Sequence, residues 1–346
     1  MTLFSDAAQR GWLPGGQGSD LQWSRNQPRM SRERRAKVII AYLPDWVLTI
    51  LLAGVLAIIN KAHGFRREFS LTDTSLQHTY AVTERVPVWL LVVTTVIIPI
   101  VLIAFIGLVT CRSFWDCHAG LLGLILAHAL TVTATTIIKV TVGRPRPDVI
   151  DRCQPPGEAS NASPYGLVTD AICTRPVDSS IITDGFRSFP SGHSSTAFAG
   201  MAFLSLYLAG KVRLFDHRGH AASAWLVFFP MIGATLIAIS RLEDYRHHPT
   251  DVIAGGILGT IISTTIYHLY YPPLWDRRCQ KPWAPRIPRQ TLPSNELEAE
   301  GLAAEPYHEH ASDSAGGAQC VTSTDGLPTI SPHGAPVQPY SHPITP

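Results

Sequence analysis

The sequence predicts an all-α polytopic membrane protein, a bundle of six transmembrane helices. Three observations lead there. The chain of 346 residues is 46% hydrophobic and only 16% charged, whereas soluble domains carry about 25% charge. Its apolar residues collect in runs near the roughly 20 residues that a helix needs to cross a bilayer. Three short polar blocks, Lys139 to Pro147, Pro190 to His193 and Ser240 to Asp251, fall at the ends of those runs.

Residues 1–36 read as a disordered cytosolic arm, polar and without the apolar core of a cleavable signal. Arg25, Arg29, Arg32, Arg34, Arg35 and Lys37 precede the first apolar run and mark its cytosolic side. A basic cluster also suits nucleic acid, but the adjoining spans favour the membrane, so no nucleic-acid partner is expected. The six-helix domain is expected over 37–272.

The first span covers Val38 to Ile59 and directs insertion itself; its Asp45 should face the bundle or the cytosolic interface. A loop from Asn60 to Arg85 leads to the second span, Val86 to Val109, interrupted by Pro99. The turn Thr110 to Asp116 opens the third, Cys117 to Ile138, which ends at Lys139. A long loop, Val140 to Pro190, has the length of a functional one. The fourth span runs Ser191 to Gly210, with Lys211, Arg213 and Arg218 marking a cytosolic turn. The fifth covers Ala221 to Ile239. The sixth runs Asp251 to Tyr270, with Gly255 and Gly259 spaced for close helix contact. Residues 273–346 read as a disordered cytosolic tail rich in Pro, Ser and His, dispensable for chemistry.

An even number of spans returns both ends to one side. The loops at 60–85, 140–190 and 240–249 then share the luminal or extracellular face, and the three polar blocks share it with them. Vacuolar, Golgi, endoplasmic-reticulum and plasma membranes all satisfy this topology, and the sequence leaves the oligomeric state open. Cys153 and Cys173 lie in one of these loops, where an oxidising compartment would let them pair; two free thiols are the other reading. Asn161 begins a glycosylation sequon that Pro164 directly follows.

The blocks suit phosphoryl transfer without metal or cofactor. Lys139, Arg146 and Arg241 are cations for phosphate oxygens, with Arg144 nearby. Ser191 is placed to cap a helix whose first amides, at Gly192 and His193, face an anion. His193 is then placed to protonate a departing oxygen. Pro249 suits a first helical turn, and Asp251 lies four residues after His247, within reach of its ring. That hydrogen bond would fix the tautomer and free the other nitrogen for attack. Glu243 and Asp244 read as solvated. Each residue also has a bland reading: Lys139 as a snorkelling lysine, His193 as a cap, Asp251 as a helix-start carboxylate. A metal site is the competitor for a His/His/Asp set, but the surrounding cations oppose it.

The combination resembles the phosphatidic acid phosphatase type 2 (PAP2) superfamily, the lipid phosphate phosphatases. Its pattern is Lys-x6-Arg-Pro, Pro-Ser-Gly-His and Ser-Arg-x5-His-x3-Asp, matched here by Lys139 to Pro147, Pro190 to His193 and Ser240 to Asp251. The stretches Phe69 to Asp73, Gly143 to Asp148 and Arg152-Cys153 look most like the fungal and plant diacylglycerol pyrophosphate/phosphatidate phosphatases. The resemblance spans roughly residues 38–272 and implies a six-helix core. It implies His247 as nucleophile, Asp251 as its orienter and His193 as acid, with Lys139, Arg146, Ser191, Gly192 and Arg241 around the phosphate. It also implies phospholipid substrates in a bilayer: phosphatidate, lysophosphatidate and diacylglycerol pyrophosphate. A sphingoid-phosphate or polyprenyl-diphosphate phosphatase shares these blocks. A non-catalytic protein that binds or transports anionic lipid would use the cations alone.

Overall fold

A computed structural model describes residues 30–287, apart from 61, 63, 217 and 218. Most of the arm and tail expected at 1–36 and 273–346 therefore lies outside the described residues. Helix α1 (Arg32–Ala41) is capped by Ser31, whose hydroxyl accepts from the Arg34 amide, and α2 (Leu43–Asn60) follows directly. The first span was expected to begin at Val38, but the helix begins within the basic cluster. The helices α3 (Val88–Thr110), α4 (Phe114–Val142), α7 (Gly192–Val212), α8 (Ala221–Glu243) and α9 (Pro249–Tyr270) are each long and apolar enough to cross a membrane. A sixth span forms if Arg32–Ala41 and Leu43–Leu56, bent by 44°, count together. No strand occurs among the described residues.

The spans surround α7, the most enclosed of them. Glycines set its contact with α9: a β-carbon at Gly255 would lie 2.5 Å from the Ser191 carbonyl, and one at Gly259 would collide with that of Ser195. The expected small-residue contact is therefore present. The interruption at Pro99 takes the form of a π-helical turn over Val93–Ile97. Proline brings no N–H for the carbonyl of Thr95. That carbonyl packs against α7 where Gly200 leaves room for it. Outward faces of α2, α3 and α8 expose Ile50, Trp89 and Phe229, as lipid contact requires.

Two polar ends close the bundle. At one end, Asp116 of α4 accepts hydrogen bonds from Lys211 at 2.5 Å and from Tyr207 at 2.8 Å. The tail segment packs over this end. Lys211 also donates to the Gln280 carbonyl, the Trp115 indole to that of Trp283, and Arg286 pairs with Asp45 at 2.9 Å. This corrects the boundary expected at 273: Cys279 is buried, and packing continues through Arg286.

At the other end, the loop of 140–190 is built rather than shapeless. It contains α5 (Val149–Cys153) and α6 (Ser180–Gly185), and a disulfide joins Cys153 to Cys173. Phe69 pairs with Val168 through backbone hydrogen bonds, tying in the loop after α2. Phe69, Val149, Ile182 and Phe186 form a small apolar core there. Asn161, the sequon residue, accepts from the Leu71 amide at 2.8 Å.

Candidate active site

The three polar blocks converge beneath this second end. Lys139 lies in the last turn of α4, which Gly143 ends at φ 58°. A β-carbon at Gly143 would collide with the Phe65 carbonyl, so the turn needs glycine in both conformation and space. The Lys139 ammonium lies 3.3 Å from where a β-carbon on Gly192 would stand. Gly192 thus lets the lysine reach the start of α7. Lys139 makes no hydrogen bond or ion pair among the described residues.

Ser191 caps α7 as expected, accepting from the Ser194 amide at 3.4 Å. Its own amide donates to the Asp251 carbonyl at 2.9 Å, joining the starts of α7 and α9. His193 lies in the first turn of α7, its Nε2 3.1 Å from the Val86 carbonyl and 3.6 Å from Glu84 Oε2.

Arg146 and Arg241 are buried but not unpaired. Arg146 donates to Asp184 at 2.7 Å. Arg241, at the end of α8, donates to Glu84 at 2.8 Å and to Asp244 at 2.6 Å. Asp244 was expected to be solvated; it is 4% exposed, because it is the partner of a buried arginine. Asp184 serves Arg146, Arg152 and Arg246 together. Burial opposes its ionisation, but Arg146, Arg152, Lys139 and Arg246 outweigh that and hold its pKa down at about 2.

His247 differs from the expected arrangement. Its Nδ1 donates to the Ser188 carbonyl at 2.7 Å, and Asp251 Oδ2 stands 4.0 Å away. Asp251 lies in the first turn of α9, where the His248 amide draws its carboxylate at 3.0 Å. Ser188 Oγ at 2.5 Å and Arg144 at 2.6 Å complete its partners. The tautomer is still fixed, by a backbone carbonyl instead of the carboxylate, and Nε2 is left free. Burial, then Arg146 and Lys139, push the His247 pKa well below the ordinary imidazole value. The ring is therefore neutral at physiological pH, as a nucleophile must be.

Glu84, Asp184, Arg246 and Ser188 belong to this site and carried no sequence signal of their own. Glu84 lies in the loop before α3, more than 100 residues from every block it touches.

The arrangement offers a neutral imidazole, a second imidazole at a helix start, and a shell of guanidinium and ammonium groups. A PAP2 superfamily model matches residues 120–275, which include all three blocks. Lipid phosphate phosphatase 2 of Arabidopsis thaliana is 37% identical over 239 residues, covering 68% of this chain and 79% of the relative. Diacylglycerol pyrophosphate phosphatase 1 of Saccharomyces cerevisiae is 38% identical over 245 residues, covering 69% and 83%. This chain belongs to the PAP2 superfamily. It is a multi-pass membrane protein of that superfamily, and the matched interval runs from within α4 to just past α9. No solved structure matches the chain.

Proposed function

We propose that this PAP2 protein is a lipid phosphate phosphatase working in two steps at one membrane face. His247 Nε2 attacks phosphorus, the bond to the lipid oxygen breaks, and His193 protonates the departing alkoxide. Water then attacks the phosphohistidine, giving its proton to His193, and phosphate leaves with His247 restored. Lys139, Arg146 and Arg241 neutralise the oxygens in both transition states, helped by the amides at the start of α7. Asp251 acts on His247 through Ser188: it accepts from the Ser188 hydroxyl while the Ser188 carbonyl holds the ring.

The observation that carries this reading is the His247 geometry: Nδ1 anchored at 2.7 Å, the ring held neutral, and unpaired Lys139 among the cations nearest it. Names of relatives support glycerolipid phosphates as substrates, among them diacylglycerol pyrophosphate. A site at the end of the bundle takes the headgroup while the acyl chains stay in lipid. The Cys153–Cys173 disulfide at the site end supports a luminal or extracellular active site, and the basic helix α1 supports a cytosolic opposite end.

The test is phosphate release by purified protein in detergent–lipid micelles with excess EDTA. The panel contains diacylglycerol pyrophosphate, phosphatidate, lysophosphatidate, a sphingoid phosphate and a polyprenyl diphosphate. The expected outcome is EDTA-resistant turnover of the glycerolipids, lowered by about 10⁴-fold or more in His247→Ala. Activity retained in that variant removes the nucleophile from the scheme. Turnover of only the sphingoid or polyprenyl member moves the substrate class.

A further inference from the structure

The general acid needs a proton at the moment the leaving group departs, yet cations surround it. His193 is faced by Arg241 from α8 and Lys139 from α4, and it lies near His247. Of these, Arg241 and Lys139 are cations. One side of the ring differs. The segment before α3 presents the Val86 carbonyl to Nε2 at 3.1 Å and the Glu84 carboxylate at 3.6 Å. The same Glu84 oxygen now accepts from Arg241 at 2.8 Å, and the other lies 3.3 Å from Arg246.

Resting on the phosphatase reading above, we propose that Glu84 is a positioning residue that turns His193 for proton donation and pairs with its protonated form once substrate has taken Arg241. A phosphate bound to Arg241 competes with Glu84 Oε2 for the same guanidinium. The released oxygen has His193 as its neighbour, so the carboxylate moves from an arginine to the imidazolium. Substrate arrival thereby strengthens the partner of the acid. Val86 and Glu84 hold the Nε2 edge, and Nδ1 carries the proton that the lipid alkoxide receives. The atom balance of the two steps is unchanged, because Glu84 gains and loses no proton.

The experiment measures kcat against pH for the full-length protein in mixed micelles, comparing wild type, Glu84→Gln, Glu84→Asp and His193→Ala. Substrates are phosphatidate and p-nitrophenyl phosphate, whose phenolate departs without protonation. With phosphatidate, Glu84→Gln should move the alkaline limb down by about one pH unit, and activity above that limb should fall about tenfold. Glu84→Asp should restore part of the shift. With p-nitrophenyl phosphate, Glu84→Gln should not move the alkaline limb, while His193→Ala should keep the first burst of nitrophenolate and lose steady turnover, because His193 also takes the proton of the attacking water. A loss equal at every pH and on both substrates would mean a structural role and overturn the inference. So would an unmoved pH profile with a lower KM and tighter inhibition by inorganic phosphate, since Glu84 would then only compete for Arg241. If His193→Ala also loses the nitrophenolate burst, the acid assignment itself fails, separately from Glu84.

Discussion

The two ends of the bundle both bury charge, and they do so in opposite ways. At the tail-covered end, Asp116 has its oxygens occupied by Lys211, Tyr207 and Tyr271, and Lys211 also stands over the rings of both tyrosines. At the site end, Lys139 has no such partner among the described residues; the buried Nε atoms of Arg146, Arg152 and Arg246 also lack one, as does that of Arg213 at the tail-covered end, so the lysine carries the difference. The first cluster is satisfied from within the chain. The second keeps a surplus of cationic donors that a phosphate's oxygens would satisfy. A buried cluster is a fastening when its valences close on themselves, and a binding site when they do not.

Substitutions can break that contrast. The largest effect on stability is expected for Asp116→Ala, which strands Lys211 as a buried charge and should cost about 3–5 kcal/mol. Thermal unfolding in detergent checks this, and the protein that remains folded should keep its KM. Lys139→Met should do the reverse: kcat/KM falls by about 100-fold, the scale of losing one charge-stabilising donor, while the unfolding midpoint does not fall. Should Lys139→Met unfold the protein, the lysine is a fastening too and the contrast fails. The smallest effect is expected for Arg286→Ala. Its ion pair with Asp45 leaves the arginine 52% exposed, so removal should cost less than about 1 kcal/mol in the same unfolding assay.

The same contrast separates what was legible in the sequence from what was not. Helix ends were legible because their chemistry is local: Ser191 caps α7 and Pro249 opens α9, with bounds within a few residues of those expected. Gly255 and Gly259 announced the α7–α9 contact by spacing alone. Six spans were expected, whereas five helices are continuous and the sixth depends on the bend after α1. The sequence could not show that, because hydropathy registers length and not direction. Within the site, the three blocks carry the cations and imidazoles that the structure brings to one end of the bundle. Their acidic counterparts, Glu84 and Asp184, were invisible because a single acid in a loop has no periodicity. The expected bond from Asp251 to His247 followed from their spacing, but a helix start offered that carboxylate a nearer amide.

Both histidines are held by main-chain oxygens, those of Ser188 and Val86. Alanine scanning is blind to such anchors. Ser188→Ala removes the hydroxyl that serves Asp251 and leaves the carbonyl on His247 untouched, and Val86→Ala leaves its own carbonyl in place. The resting orientation of both reactive rings is thus written into the path of two loops as well as into the side chains around them. An ester placed in the backbone, which weakens a carbonyl as an acceptor without altering its side chain, is the substitution that reads it.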